Sequence, residues 1–122
     1  MDLAENIKNN PTVFGSILRG EIPAKKVYED DKVFAFHTIE PKAKVHILVI
    51  PKKHIISLCA TSPEDAELLG YLLVKVREIA EEIGINEGGF RMLVNSGENS
   101  SQEVPHLHFH ILGGERLTPW NG

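Results

Sequence analysis

The stretch His106-Leu107-His108-Phe109-His110-Ile111-Leu112 alternates imidazoles with apolar side chains over five residues and then closes on an apolar pair. In an extended strand, residues two apart project to one face, so His106, His108 and His110 stand in a row while Leu107, Phe109 and Ile111 point the other way. This segment is read as a strand with one face in the core and one carrying chemistry, and Gly113-Gly114 ends it. The plainer reading, three ordinary strand histidines with satisfied hydrogen bonds, fits a lone histidine better than three in register.

Upstream, Phe90 through Asn95 reads as another strand, separated from the first by a loop rich in Gly, Ser and Asn from Ser96 to Ser101. The apolar run Val45-His46-Ile47-Leu48-Val49-Ile50 is interrupted only by His46 and reads as a central strand covered on both faces. Lys26–Glu29 and Lys32–His37 form a hairpin turning at Asp30-Asp31. Ser62-Pro63-Glu64-Asp65 opens one long helix with a capping serine, a first-turn proline and acids. In that helix Leu69, Leu72, Leu73, Val76, Ile79, Ala80 and Ile83 recur at three- and four-residue steps up to Gly84, a core stripe. A short helix follows Pro11, with Phe14, Ile17 and Leu18 on one face. Residues 1–11 read as a flexible polar arm and 12–122 as one domain. The class is α+β: a mostly antiparallel sheet of about five strands with one long and one short helix.

With 122 residues, 42% hydrophobic content and a formal charge of −4, the chain is sized for a single core and lacks the basic footprint that nucleic acid requires. No apolar run is long enough to span a bilayer, so no membrane partner is expected. Cys59 stands alone, and the start Met1-Asp2-Leu3-Ala4-Glu5 has no secretory pattern, which together predict a cytoplasmic protein.

Two chemistries suit the imidazole row. His-x-His is a common ligand pair for zinc or copper, but no Cys-x-x-Cys accompanies it, and a carboxylate third ligand would have to come from Glu103 or from elsewhere in the chain. Alternatively, a neutral imidazole attacks an electrophile while its neighbours fix its tautomer and hold charge. Asn95, Ser96, Ser101 and Gln102 supply neutral donors, and the small residues of the loop admit an anion to the backbone, which suits a phosphorus centre.

His106 through Leu112 resembles the signature of the histidine-triad (HIT) superfamily. Phe14-Gly15, Glu21-Ile22-Pro23-Ala24, Glu29-Asp30-Asp31, Val49-Ile50-Pro51-Lys52-Lys53-His54, Asn95 and His108 to Gly114 extend the likeness to its Hint branch, the purine nucleoside phosphoramidases. The resemblance implies a HIT-like fold, a homodimer, and hydrolysis of the P–N bond of a purine nucleoside 5'-phosphoramidate to AMP or GMP, with no metal and no cofactor. It implies that His108 attacks phosphorus, that the carbonyl of His106 holds its Nδ1 proton, that His110 contacts the phosphate or leaving group, and that His46 and His54 relay protons. Asn95, Gln102 and the backbone at Glu103 would hold phosphate and ribose oxygens. Phe14, Phe36 and Ile39 would form the slot for the base, and Trp120 would lie on a tail crossing to the partner subunit. Thr38 stands where the family commonly has an aspartate for the ribose hydroxyls, and Ser100-Ser101 where many relatives have glycines. The alternatives are a nucleotide-binding scaffold and a dinucleoside polyphosphate hydrolase.

Overall fold

The computed structural model describes residues 2–119. Five strands form one antiparallel sheet: β1 (Lys26–Glu29), β2 (Val33–His37), β3 (Val45–Pro51), β4 (Arg91–Leu93) and β5 (Phe109–Gly113), in the order β1-β2-β3-β5-β4. Around it lie the helices α1 (Leu3–Lys8), α2 (Val13–Leu18) and α3 (Ala66–Glu82). The expected α+β architecture is present, with one long helix and short ones.

Pleat alternation divides the sheet into two differently filled faces. Val33, Ala35, Ile47, Val49, Leu107, Phe109 and Ile111 pack with Leu72, Val76, Ile79 and Ala80 of α3. The other set, Phe34, Phe36, Leu48 and Ile50, meets Phe14 of α2. β3 is buried along nearly its whole length, as its unbroken apolar run requires. Leu48 pairs with His110 and His46 with Leu112, so the histidine face of β5 is the face that α2 covers.

The hairpin between β1 and β2 is fastened by Asp30. Its Oδ1 accepts from the backbone N–H groups of Lys32 and Val33, both at 2.8 Å, and its Oδ2 accepts from the hydroxyls of Tyr28 and of Tyr71 on α3. These donors hold the carboxyl down to about 2 against the opposing effect of burial. α3 begins as a single 3-10 turn at Pro63–Asp65, where the Asp65 carboxylate accepts from Ser62 N–H at 2.9 Å.

Residues 1–11, read from sequence as a flexible arm, contain α1, whose N-cap Asp2 accepts from Glu5 N–H at 2.8 Å. The segment is tied down by Arg19, whose Nη1 donates to the carbonyls of Ile7 (2.9 Å) and Asn10 (2.7 Å). Polar composition concealed this, because the ties are to backbone oxygens and leave no apolar pattern. β5 is also shorter than expected at its start: regular pairing begins at Phe109, so His106 and His108 sit on the extended chain entering the strand.

Candidate functional site

Five of the chain's six histidines form a continuous row along the α2 side of the sheet. His46 and His110 rings lie 5.1 Å apart, His110 and His108 are also 5.1 Å apart, and His106 stacks on His54 at 5.2 Å. Phe14 bridges the two halves, with its ring perpendicular to His108 at 5.1 Å and close to perpendicular to His106 at 5.7 Å. Phe14 therefore belongs to the site as a wall. Phe36 is buried and meets the edge of Phe14 at 5.6 Å, so it supports that wall from behind.

The hydrogen bonds assign a tautomer to each ring. His108 Nδ1–H donates to the carbonyl of His106 at 2.7 Å, which leaves the lone pair on Nε2. Lys42 N–H donates to His46 Nδ1 at 2.9 Å, so His46 carries its proton on Nε2 and donates it to His110 Nδ1 at 2.9 Å. His110 in turn carries its proton on Nε2. Among the described residues that Nε2 is a buried side-chain nitrogen with no hydrogen-bond partner, an arrangement proteins rarely leave uncompensated. On His106, Nε2–H donates to the Pro51 carbonyl at 2.8 Å, and Nδ1 accepts from the Asn10 carboxamide at 2.9 Å.

All four rings are kept neutral. Burial pushes His106 down to about 4, and burial together with the neighbouring His108 and His46 takes His110 to about 4. His46 is lowered by burial and by Lys42, and His108 by burial, with the Glu103 carboxylate opposing. His106 has no exposed surface, so its shift carries over to stability. An unfolded histidine titrates near 6.5 and the folded one near 4, so between these values the unfolded chain binds the extra proton. The stabilisation is complete above pH 6.5 and is lost as the pH falls toward 4. His106 alone is expected to remove on the order of 3 kcal/mol over that window, at about 1.4 kcal/mol per pH unit. Urea midpoints measured at pH 7 and pH 4.5 check this, and equal midpoints would contradict it. Asp30 does not confuse the comparison, because its own contribution is lost only below its ordinary value of 3.8.

The remaining predicted residues fall in different places. Asn95 is half-buried, two residues beyond β4, whose Leu93 pairs with His110. The Gln102 side chain is fully committed to the loop: Oε1 accepts from Gly97 N–H at 2.8 Å, and Nε2 donates to the carbonyls of Ile56 (2.8 Å) and Val104 (2.9 Å). It therefore shapes the loop, and no donor of its amide is left over for a phosphate. Ser101 takes φ of +63°, the left-handed region that glycine adopts more cheaply, and is the one non-glycine residue to do so among those described. Glu103 is exposed, and its charge reaches His108. The Thr38 hydroxyl accepts from Glu40 N–H at 3.3 Å. Ile39 is 96% exposed, so it packs against no part of the Phe14 and Phe36 wall. His54 is half-buried, and its Nε2–H donates to the Pro105 carbonyl at 2.8 Å, an anchoring bond. Trp120 lies outside the described residues. Asn10, which sequence reasoning passed over as part of a loose arm, is 1% exposed and touches the row directly.

A resident metal finds little purchase here. Both nitrogens of His46 and His106 and the Nδ1 atoms of His108 and His110 are already in hydrogen bonds. Among the described residues no three His, Cys, Asp or Glu side chains are grouped to hold an ion. No described helix is long and apolar enough to cross a membrane.

A HIT-like protein of Synechocystis is 52% identical over 103 residues, which cover 84% of this chain and 90% of that one. A histidine triad protein of Clostridium difficile superposes with a TM-score of 0.86 at 44% identity, covering 89% of this chain and 95% of its own. A structure described as a HIT family hydrolase, from Legionella pneumophila, gives 0.84 at 42% identity, covering 87% and 95%. Residues 19–117 match the HIT domain model, and the chain belongs to the HIT domain family.

Proposed function

We propose that the protein hydrolyses the P–N bond of purine nucleoside 5'-phosphoramidates, releasing AMP or GMP through a nucleotidyl intermediate on His108. One observation carries this reading: a buried, neutral imidazole with its lone pair on Nε2 stands beside the unpartnered Nε2–H of His110. A nucleophile next to a fixed donor is what phosphoryl transfer needs, since charge gathers on the non-bridging oxygens. The description of the Legionella relative as a hydrolase agrees with it.

His108 Nε2 attacks the α-phosphorus, the P–N bond breaks, and the amine leaves with a proton taken from water. Water then attacks phosphorus, the P–Nε2 bond breaks, and the mononucleotide departs as a proton returns to solvent. Because both nitrogens of His46 and the Nδ1 of His110 are engaged, His46 orients His110, and the His110 Nε2–H holds a phosphoryl oxygen through both steps. Asn95 and the backbone of the 96–103 loop flank the nucleotide, with the base against Phe14. The amide of Gln102 keeps the loop in shape, and Thr38 offers its one hydroxyl to the ribose. The same reading includes a cytoplasmic homodimer: β4 is an edge strand, and its Met92 adjoins exposed Leu73 and Leu58.

Incubating the protein with adenosine 5'-phosphoramidate and following AMP by chromatography tests the assignment. Steady AMP release is expected. AMP binding with no turnover of adenosine or guanosine phosphoramidates would make the protein a nucleotide-binding module, and turnover of a dinucleoside polyphosphate alone would place it among the polyphosphate hydrolases.

A further inference from the structure

We infer that Asn10 is a positioning residue: its carboxamide, locked by Thr12, holds His106 as the neutral Nε2–H tautomer and thereby steadies the carbonyl from which His108 is aimed. The consequence for rate rests on the proposed phosphoramidase reading; the tautomer itself does not.

The Asn10 Oδ1 accepts from both the backbone N–H of Thr12 (3.0 Å) and its hydroxyl (2.8 Å). Turning the amide over would set NH2 against a backbone N–H, so the orientation is fixed and Nδ2 is the atom facing His106 Nδ1. A donor there excludes a proton on Nδ1. The other nitrogen meets a carbonyl, Pro51, which demands a proton on Nε2. Both ends of the ring are thus specified, in a side chain with no exposed surface. The backbone oxygen of this same residue, His106, accepts the His108 Nδ1–H at 2.7 Å, so movement of the ring is passed to the nucleophile through one residue of backbone.

The device is built from several elements. Arg19 donates to the Asn10 carbonyl at 2.7 Å, and α2 presents Gly15 to it without a side chain, where a Cβ would fall 2.7 Å from both Cβ and Cγ of Asn10. The titratable groups facing His106 are His54, stacked on it, and His108. A charge on His106 would therefore act on both.

Asn10→Asp tests the inference with almost no change of shape. One carboxylate oxygen keeps the Thr12 bonds while the other faces Nδ1, which must then carry a proton. Nitrogen-15 spectra of the imidazoles are expected to show His106 protonated only on Nε2 in the unaltered protein, and on Nδ1 as well in the variant at pH 7. The kcat for adenosine phosphoramidate is expected to fall about tenfold or more, with KM little changed. A bare Nδ1 in the variant, or a protonated Nδ1 in the unaltered protein, overturns the inference. An altered tautomer with unchanged kcat overturns the link to His108. If the variant does not fold, the spectrum of the unaltered protein still decides the tautomer. Changed spectra in a protein that turns over no phosphoramidate would uphold Asn10 and defeat the reaction instead.

Discussion

Replacing His108 by alanine is expected to lower kcat/KM for adenosine 5'-phosphoramidate by on the order of 10⁴ or more, about 5 kcal/mol of transition-state stabilisation. The size follows from what is removed. The variant keeps the His110 donor and the loop, so binding and charge stabilisation survive, but the covalent route through Nε2 is gone and water must attack phosphorus directly. KM should change little. Chemical trapping sharpens the result: wild-type protein quenched in alkaline denaturant, where a P–Nε2 bond survives, should carry a nucleotidyl group on His108, and the alanine variant none. A variant retaining a tenth of the wild-type rate would mean that the nucleophile is elsewhere.

The largest effect on stability is expected from Gly15→Ala, a loss of about 2 to 6 kcal/mol measured by urea denaturation. In most helices this substitution stabilises, because alanine is the better helix former. Here the new methyl group would meet the Asn10 side chain at 2.7 Å and also crowd its carbonyl. Backbone cannot yield as a flexible side chain does, so the overpacking costs about 1 to 3 kcal/mol. Displacing Asn10 also strips His106 Nδ1 of its donor, and a buried acceptor left unpaired costs about 1 to 3 kcal/mol more. A Gly15→Ala protein as stable as the wild type would show that α2 and Asn10 can separate freely.

The readable part of this molecule is the part written in period. The alternation from His106 to Leu112 predicts which side chains enter the core, and Leu107, Phe109 and Ile111 do lie beneath α3. His46 breaks an otherwise apolar run, but a lone histidine there reads as a core residue; the family likeness is what sets it beside the triad, and it lies on His110. The illegible part consists of single polar contacts across long separations. Asn10 reaches His106 over 96 positions, and Gln102 spends its amide on Ile56, Val104 and Gly97. Neither leaves a pattern, since one carboxamide among loop residues looks like any other. Ile39 stands apart from both: the likeness assigns it to the base slot, and the chain leaves it 96% exposed. The one local hint to Asn10 was Gly15, a poor helix former in the middle of a helix, which signals that another part of the chain comes close.

The two faces of the sheet carry a genetic consequence. Along the strand that enters at His106, odd and even positions serve separate ends, aliphatic cohesion under α3 on one side and imidazole chemistry under α2 on the other. A point substitution therefore damages one end at a time, and the histidines can drift toward new reactions while the opposite face goes on folding the chain. A single-codon deletion inside 107–112 has no such latitude. It would invert every side chain beyond the deleted residue, turning imidazoles toward the dry interior and aliphatic groups toward the α2 side, so lineages of this domain should tolerate length changes in the loop before the strand but not within it.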